Sequence, residues 1–169
     1  MKSKYSRMQV FLHWLSAVII IWGTISGFMV ALFEPAFEHK AWVGFVNVSL
    51  TTLFIPFFVM RLWFAFRHGK PNDHLLSLRE EKLSAIGHAF LYLNMTIVML
   101  SGVLMMDRPI NVFDWFSLPQ PIENESITRV FNRVHIFSCA TLGLLVIGHV
   151  LAVVKHQMKG KALLRRMSW

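Results

Sequence analysis

The sequence predicts an all-α integral membrane protein, a four-helix bundle with both termini on the cytoplasmic side. Three observations predict it. The 169 residues are 55% hydrophobic and only 15% charged, with a mean hydropathy of +0.52, outside the range of water-soluble domains. Four long apolar runs carry this excess. The basic residues gather on one side of those runs.

The first run, Met8 to Phe33, has one ionisable residue, His13. Its basic front, KSKYSR, suits a signal peptide, but the apolar part is too long and no small-residue cleavage site follows, so it reads as a helix. Gly23 and Gly27 make a ridge that admits a neighbouring helix or a flat ligand, simple packing being the plainer role. The connection EPAFEHK leaves His39 outside the runs, as a solvated interface residue. The second run, Ala41 to Met60, contains Pro56, which removes one backbone donor and is expected to kink the helix. It ends at Arg61, whose guanidinium is expected to snorkel to the cytoplasmic headgroups; pairing with an acidic group of a bound cofactor is the alternative. Asn47, in the outer leaflet, is expected to bond to a neighbouring helix.

A polar inner loop from Arg67 to Lys82 holds Pro71 and the solvated His68 and His74. The third run, Leu83 to Met106, opens with SAIGHAFLYLN and sets His88 at the inner depth of His13. The longest connection, Asp107 to Arg133, centres on PINVFDWFSLPQP, whose interleaved aromatics and prolines suit a short element lying on the membrane interface, or a cofactor lid. The fourth run, Val134 to Val154, carries His135, His149 and the single cysteine, Cys139, which leaves no disulfide framework or thiolate metal site. The expected helices cover about residues 8–33, 41–66, 83–106 and 134–156 of a single domain, 1–169.

Lys2, Lys4 and Arg7 precede the first helix, Arg61, Arg67, Lys70, Arg79 and Lys82 join the second to the third, and Lys155, Lys159, Lys161, Arg165 and Arg166 follow the fourth. Only Lys40, Arg108, Arg129 and Arg133 remain for the other side, among six acidic residues. The positive-inside rule then makes both termini cytoplasmic. The net charge of +8 follows from this topology and from contact with anionic lipid, and no nucleic-acid partner is needed to explain it.

His135 and His149 stand nearly four helical turns apart, about 21 Å. They leave one face of the helix near opposite sides of a hydrocarbon core roughly 30 Å thick. Ionisable groups at membrane depth are costly and become candidate functional sites; the plain alternative is hydrogen bonding to neighbouring helices. Two imidazoles at one depth on different helices can clamp a planar metal macrocycle in the bundle. Haem with two axial histidines has no open position and favours electron transfer. Zinc fits poorly, for there is no H-E-x-x-H motif, cysteine pair or intramembrane carboxylate. A proton relay would include acidic residues, and the runs contain none. Spacing alone leaves haem as one option among these.

From YSRMQVFLHWLSA to HVLAVVKHQMKGKALLRRM, essentially end to end, the chain resembles the bacterial cytochrome b-561 family of four-helix inner-membrane haem b proteins. HWLSA, VMRLW, GHAFLYL, INVFDWFSLP and the H-x13-H helix with its KH…LLRRM tail carry the resemblance. It implies an inner haem between His13 and His149, and an outer haem between His135 and a histidine on the second helix. The position for that last ligand, fourteen residues before the helix-end arginine, holds Asn47. An amide lacks the imidazole nitrogen, so one low-spin haem is expected, with a second weakly held or five-coordinate on His135. Met105 or Met106 is an alternative thioether ligand.

The resemblance also implies electron transfer to or from the quinone pool, one branch oxidising superoxide while reducing ubiquinone. Arg61 becomes a candidate propionate contact, and His88 and His156 candidate quinone or proton contacts. The implied partners are the lipid bilayer, quinone, and a periplasmic electron donor or membrane redox partner. A second reading is a membrane anchor or assembly subunit whose structural or vestigial haem serves a redox partner. Prompt haem reduction by quinol or superoxide separates the first from the second.

Overall fold

The four runs become α1 (Arg7–Phe33), α2 (Lys40–His68), α3 (Leu78–Leu104) and α4 (Glu125–Met158) in a computed structural model, which describes residues 4–33, 39–68 and 75–168. Lys2, the connection 34–38, Lys70, Pro71 and His74 lie outside the described residues. The shortest of these helices has 27 residues, about 40 Å at the helical rise. All four are long and apolar enough to cross a membrane.

Two helices begin well ahead of their apolar runs, and capping explains both. Ser77 accepts from the backbone of Glu80 while the Glu80 carboxylate accepts from the backbone of Ser77, so α3 starts at Leu78. Asn124 accepts from Ser126 N and Ile127 N, which starts α4 at Glu125. Ser6 and Gln9 make the same reciprocal box at the front of α1, at 3.1 and 3.3 Å. At its far end α4 stops where Gly160 takes φ +75°. The N–H of Lys161 reaches His156 O and that of Gly160 reaches Gln157 O, both at 3.0 Å, the paired bonds of a Schellman motif.

Packing divides the bundle into two pairs. α1 lies chiefly against α2 and α3 against α4, whereas α2 meets α3 and α1 meets α4 over small areas. All four helices meet at mid-height, around Ile20, Phe54, Phe58, Met95, Val98, Met99 and Leu142. Two cavities therefore lie between the pairs, one toward each end of the bundle. Hydroxyls within the helices are satisfied one turn back, as in Ser16 to Leu12 O and Thr96 to Tyr92 O, which suits a medium without water. Val18, Leu32, Phe137 and Leu144 point outward and are exposed, a surface that lipid covers at no hydrophobic cost.

The long connection contains the short element expected there. It forms an antiparallel hairpin of β1 (Ile110–Val112) and β2 (Phe116–Leu118). The two strands differ in burial: Ile110 and Val112 of β1 are buried, while Trp115 of the turn and Phe116 and Leu118 of β2 are exposed. The buried strand packs with Met106, Val48, Leu53 and Val103. Ser49, wholly buried on α2, accepts from Phe113 N at 3.0 Å and donates to Asn111 O at 3.3 Å. The turn places Phe113 and Asp114 at φ 48° and 58°, with Asn111 and Asp114 bonded to each other through both side chains and backbone. At the opposite end the chain after α4 folds back as a 3₁₀ turn (Leu163–Met167). Trp14 Nε1 donates to Met167 O at 2.9 Å and Tyr5 N to Arg166 O at 3.2 Å, tying both termini together.

Candidate functional site

At the end that holds the termini, α1, α2 and α3 surround a cavity of about 470 Å³ lined by His13, Arg61, His88 and Tyr92 among others. Met167 of the returning tail lies on its wall. His149 of α4 stands against His88, ring centroids 5.4 Å apart and edge to face, and His13 shares the cavity wall with Arg61 and His88. The structure thus gathers the three histidines expected at one depth. Ser84 Oγ holds His88 Nδ1 at 3.3 Å.

Arg61 does not reach outward to headgroups as expected. Its Nη2 lies 3.2 Å from His13 Nδ1 and its guanidinium lies over the Tyr92 ring, 5.4 Å from the centroid. The cavity between the helix pairs gives the side chain polar and aromatic partners within the bundle, so no reach to water is required. A guanidinium only donates, so this contact occupies the Nδ1 lone pair of His13. Presenting Nε2 of His13 to a metal, with a proton on Nδ1, requires Arg61 to find another acceptor.

His156 is not brought to this cavity. It lies beside Glu80, Nδ1 to Oε1 at 3.7 Å, too long for a hydrogen bond. That nitrogen is buried without a hydrogen-bond partner among the described residues. Lys161 occupies the other Glu80 oxygen at 2.5 Å. His68 stacks on Phe64 at 4.9 Å on the exposed end of α2, and His39 is exposed just before α2; neither lines a cavity.

The second cavity, about 330 Å³, lies toward the hairpin and brings His135 and Asn47 together on its wall, with Met105, Met106 and Ile110. Its sides are flat at Gly23, Gly27 and Gly44, where an added Cβ would meet nothing within 4 Å. His135 Nδ1 lies 3.2 Å from Val98 O and 3.2 Å from Ser101 Oγ. The Ser101 hydroxyl spends its proton on Ile97 O at 2.6 Å, so both neighbours of Nδ1 accept. Nδ1 therefore carries the hydrogen and Nε2 the lone pair, the tautomer of a metal-ligating histidine oriented by a backbone carbonyl. Among the described residues Nε2 is met by the Cys139 sulfur at 3.4 Å, a weak partner.

Asn47 bonds within the cavity wall, its Oδ1 2.9 Å from Ser26 Oγ, so the neighbour expected for it is α1. Ser26, Ser101, Cys139, Gly44 and Gly102 were not marked by sequence patterns. Their signal lies in the small-residue register at one face per helix, visible only once the cavities are known. The other buried polar link, Asn94 Nδ2 to Ser138 O at 2.9 Å, joins α3 to α4 between the cavities.

These donors fit an iron that arrives in a macrocycle. Among the described residues no group of three His, Cys, Asp or Glu side chains converges as a shell for a bare ion. Haem brings its equatorial donors and asks the protein for axial ones. His135 is already in the ligating tautomer, glycine walls admit a flat ring, and His13, His88 and His149 supply imidazoles at the other end. A family model for prokaryotic cytochrome b561 matches residues 4–169, and this chain therefore belongs to that family of multi-pass bacterial membrane proteins, which bind haem b and transfer electrons.

Proposed function

We propose that this chain exchanges electrons with the quinone pool through a haem b held by His13 and His149, near the end of the bundle that carries both termini. The observation that carries the reading is the cluster at this end of the bundle: His13, Arg61 and His88 line one cavity, and His149 of α4 stands against His88. When bound, the haem supplies one-electron chemistry; His13 and His149 hold it low-spin and closed to exogenous ligands. Arg61 is proposed to leave His13 Nδ1 for a haem propionate. That exchange frees Nδ1 to carry a proton and places a cation against an anion in a low-dielectric site.

Reducing a quinone takes two electrons and two protons. His88, on the cavity wall and held by Ser84, is the proposed quinone contact. His156 beside Glu80 and Lys161 is the proposed proton contact near the cytoplasmic surface. The concentration of basic residues at this end supports a cytoplasmic location for both termini. One proposed electron source on the other side is superoxide, which becomes dioxygen as it gives up its electron; two such electrons reduce one ubiquinone. His135 is proposed to carry an outer haem whose second partner, at Asn47, is missing.

The test is spectroscopic and kinetic. His13→Ala or His149→Ala is expected to abolish the low-spin bis-histidine spectrum of the purified protein while leaving the chain in the membrane. His88→Ala is expected to keep that spectrum and to slow reduction by quinol. If His88→Ala removes the spectrum and His149→Ala does not, His88 is the ligand. A wild-type haem inert to both quinol and superoxide would favour an anchor or assembly subunit instead.

A further inference from the structure

The outer cavity is built for more than an incomplete electron-transfer centre. We propose that the space between Asn47 and His135 is a binding site for one small neutral diatomic ligand, taken at the open axial position of an outer haem on His135. The proposal rests on the haem b reading above, and it concerns what this chain's own residues do around that position.

Asn47 cannot complete the coordination, because a carboxamide has no basic nitrogen lone pair, and it is shorter than the imidazole it replaces. It is anchored at the wall: its amide lies 2.9 Å from Ser26 Oγ, whose one proton is shared with Trp22 O at 2.6 Å. Gly44, one turn earlier on the same wall, adds no side chain to fill the gap. The polar group of Asn47 thus shares the cavity wall with His135, and the polarity and access of a distal pocket decide between ligand binding and electron transfer. Ile110 of the hairpin closes the outer end of the cavity.

The lining sets the ligand class. Ile19, Ile20, Val98, Met99 and Leu142 are apolar, and no Lys, Arg, Asp or Glu lines the cavity. An anion would lose its hydration there without a cation to replace it. A neutral diatomic molecule loses little hydration and gains contact with one amide. Met105 and Met106 are the rival occupants, since both lie on the same wall. Met106 is turned into the buried cluster with Ile110 and Val112, away from the role of ligand.

The experiment uses purified wild-type holoprotein, its haem-to-protein ratio, and difference spectra of the reduced form with carbon monoxide. The expected result is a ratio near two with carbon monoxide taken up by about one haem per chain. Asn47→His is expected to abolish the carbon monoxide response and add a second low-spin signal. Asn47→Leu, which keeps the cavity but removes the amide, is expected to retain carbon monoxide with a shifted stretching frequency. A ratio near two with no carbon monoxide response overturns the proposal and assigns the sixth position to a methionine. A response that survives His135→Ala also overturns it, by placing the ligand at the other site. A ratio near one without a response overturns the outer-haem reading itself.

Discussion

Replacing Ser49 by alanine tests how the hairpin is held over the outer cavity. Ser49 is wholly buried and its hydroxyl makes both polar contacts between α2 and the turn, accepting from Phe113 N and donating to Asn111 O. Alanine keeps nearly the same volume, so no cavity opens and the loss is polar. A net hydrogen bond is worth about 1 kcal/mol, and an orphaned amide adds about 1–3 kcal/mol if water cannot reach it. Phe113 is half-buried, which puts the cost of Ser49→Ala at about 2 kcal/mol, the lower part of that range. Since 1.4 kcal/mol is a factor of ten, local opening of the hairpin should rise roughly thirty-fold. The turn has little reserve, because Phe113 and Asp114 both sit at positive φ, where a non-glycine residue carries roughly 1–2 kcal/mol of strain.

The assay is hydrogen–deuterium exchange of residues 110–118 in detergent micelles, read beside the thermal midpoint. Faster exchange confined to the hairpin is the expected pattern, with the helices protected as before. Unchanged exchange at Phe113 and Trp115 would refute the reasoning, as would a global loss of stability with no local effect.

Gly102→Ala would bring a methyl to 3.2 Å from His135 Cε1 and 3.4 Å from Nδ1. The ring must retreat by a few tenths of an ångström from its 3.2 Å bond to Val98 O, so haem held at His135 should be lost while the low-spin signal of the other site stays. Trp14→Phe removes the bond to Met167 O, worth about 1 kcal/mol, and should speed tryptic cleavage at Arg165 and Arg166 roughly five-fold. A C-terminal reporter that works only in the periplasm should stay silent; a signal would contradict the cytoplasmic placement of the termini.

Four spanning helices were legible because hydrophobic runs of this length have few other physical uses. Where the helices begin was legible too, but in a different code. Ser77-x-x-Glu80 is a capping box written in sequence, and it lies outside the apolar run that announces α3. Counting apolar residues alone places the start too late, at both α3 and α4. The hairpin was harder, since its alternation lasts three residues per strand and its turn uses a phenylalanine where glycine or asparagine would be the signal. What holds it is Ser49, far away in sequence and silent as a motif.

The candidate sites divide along the same line. Depth along a helix is one-dimensional, so sequence spacing could group His13, His88 and His149 at one end and His135 with Asn47 at the other. The state of each imidazole is not one-dimensional. The Nδ1 proton of His135 is fixed by a carbonyl on α3 and a serine whose proton is already used. His13 is met by a donor, Arg61, arriving from α2. The two histidines look alike in the chain and differ in what approaches Nδ1, an acceptor in one case and a cation in the other. On the proposed reading, that difference makes Arg61 the residue that must rearrange for the first site to bind metal, while the imidazole of the second needs no rearrangement.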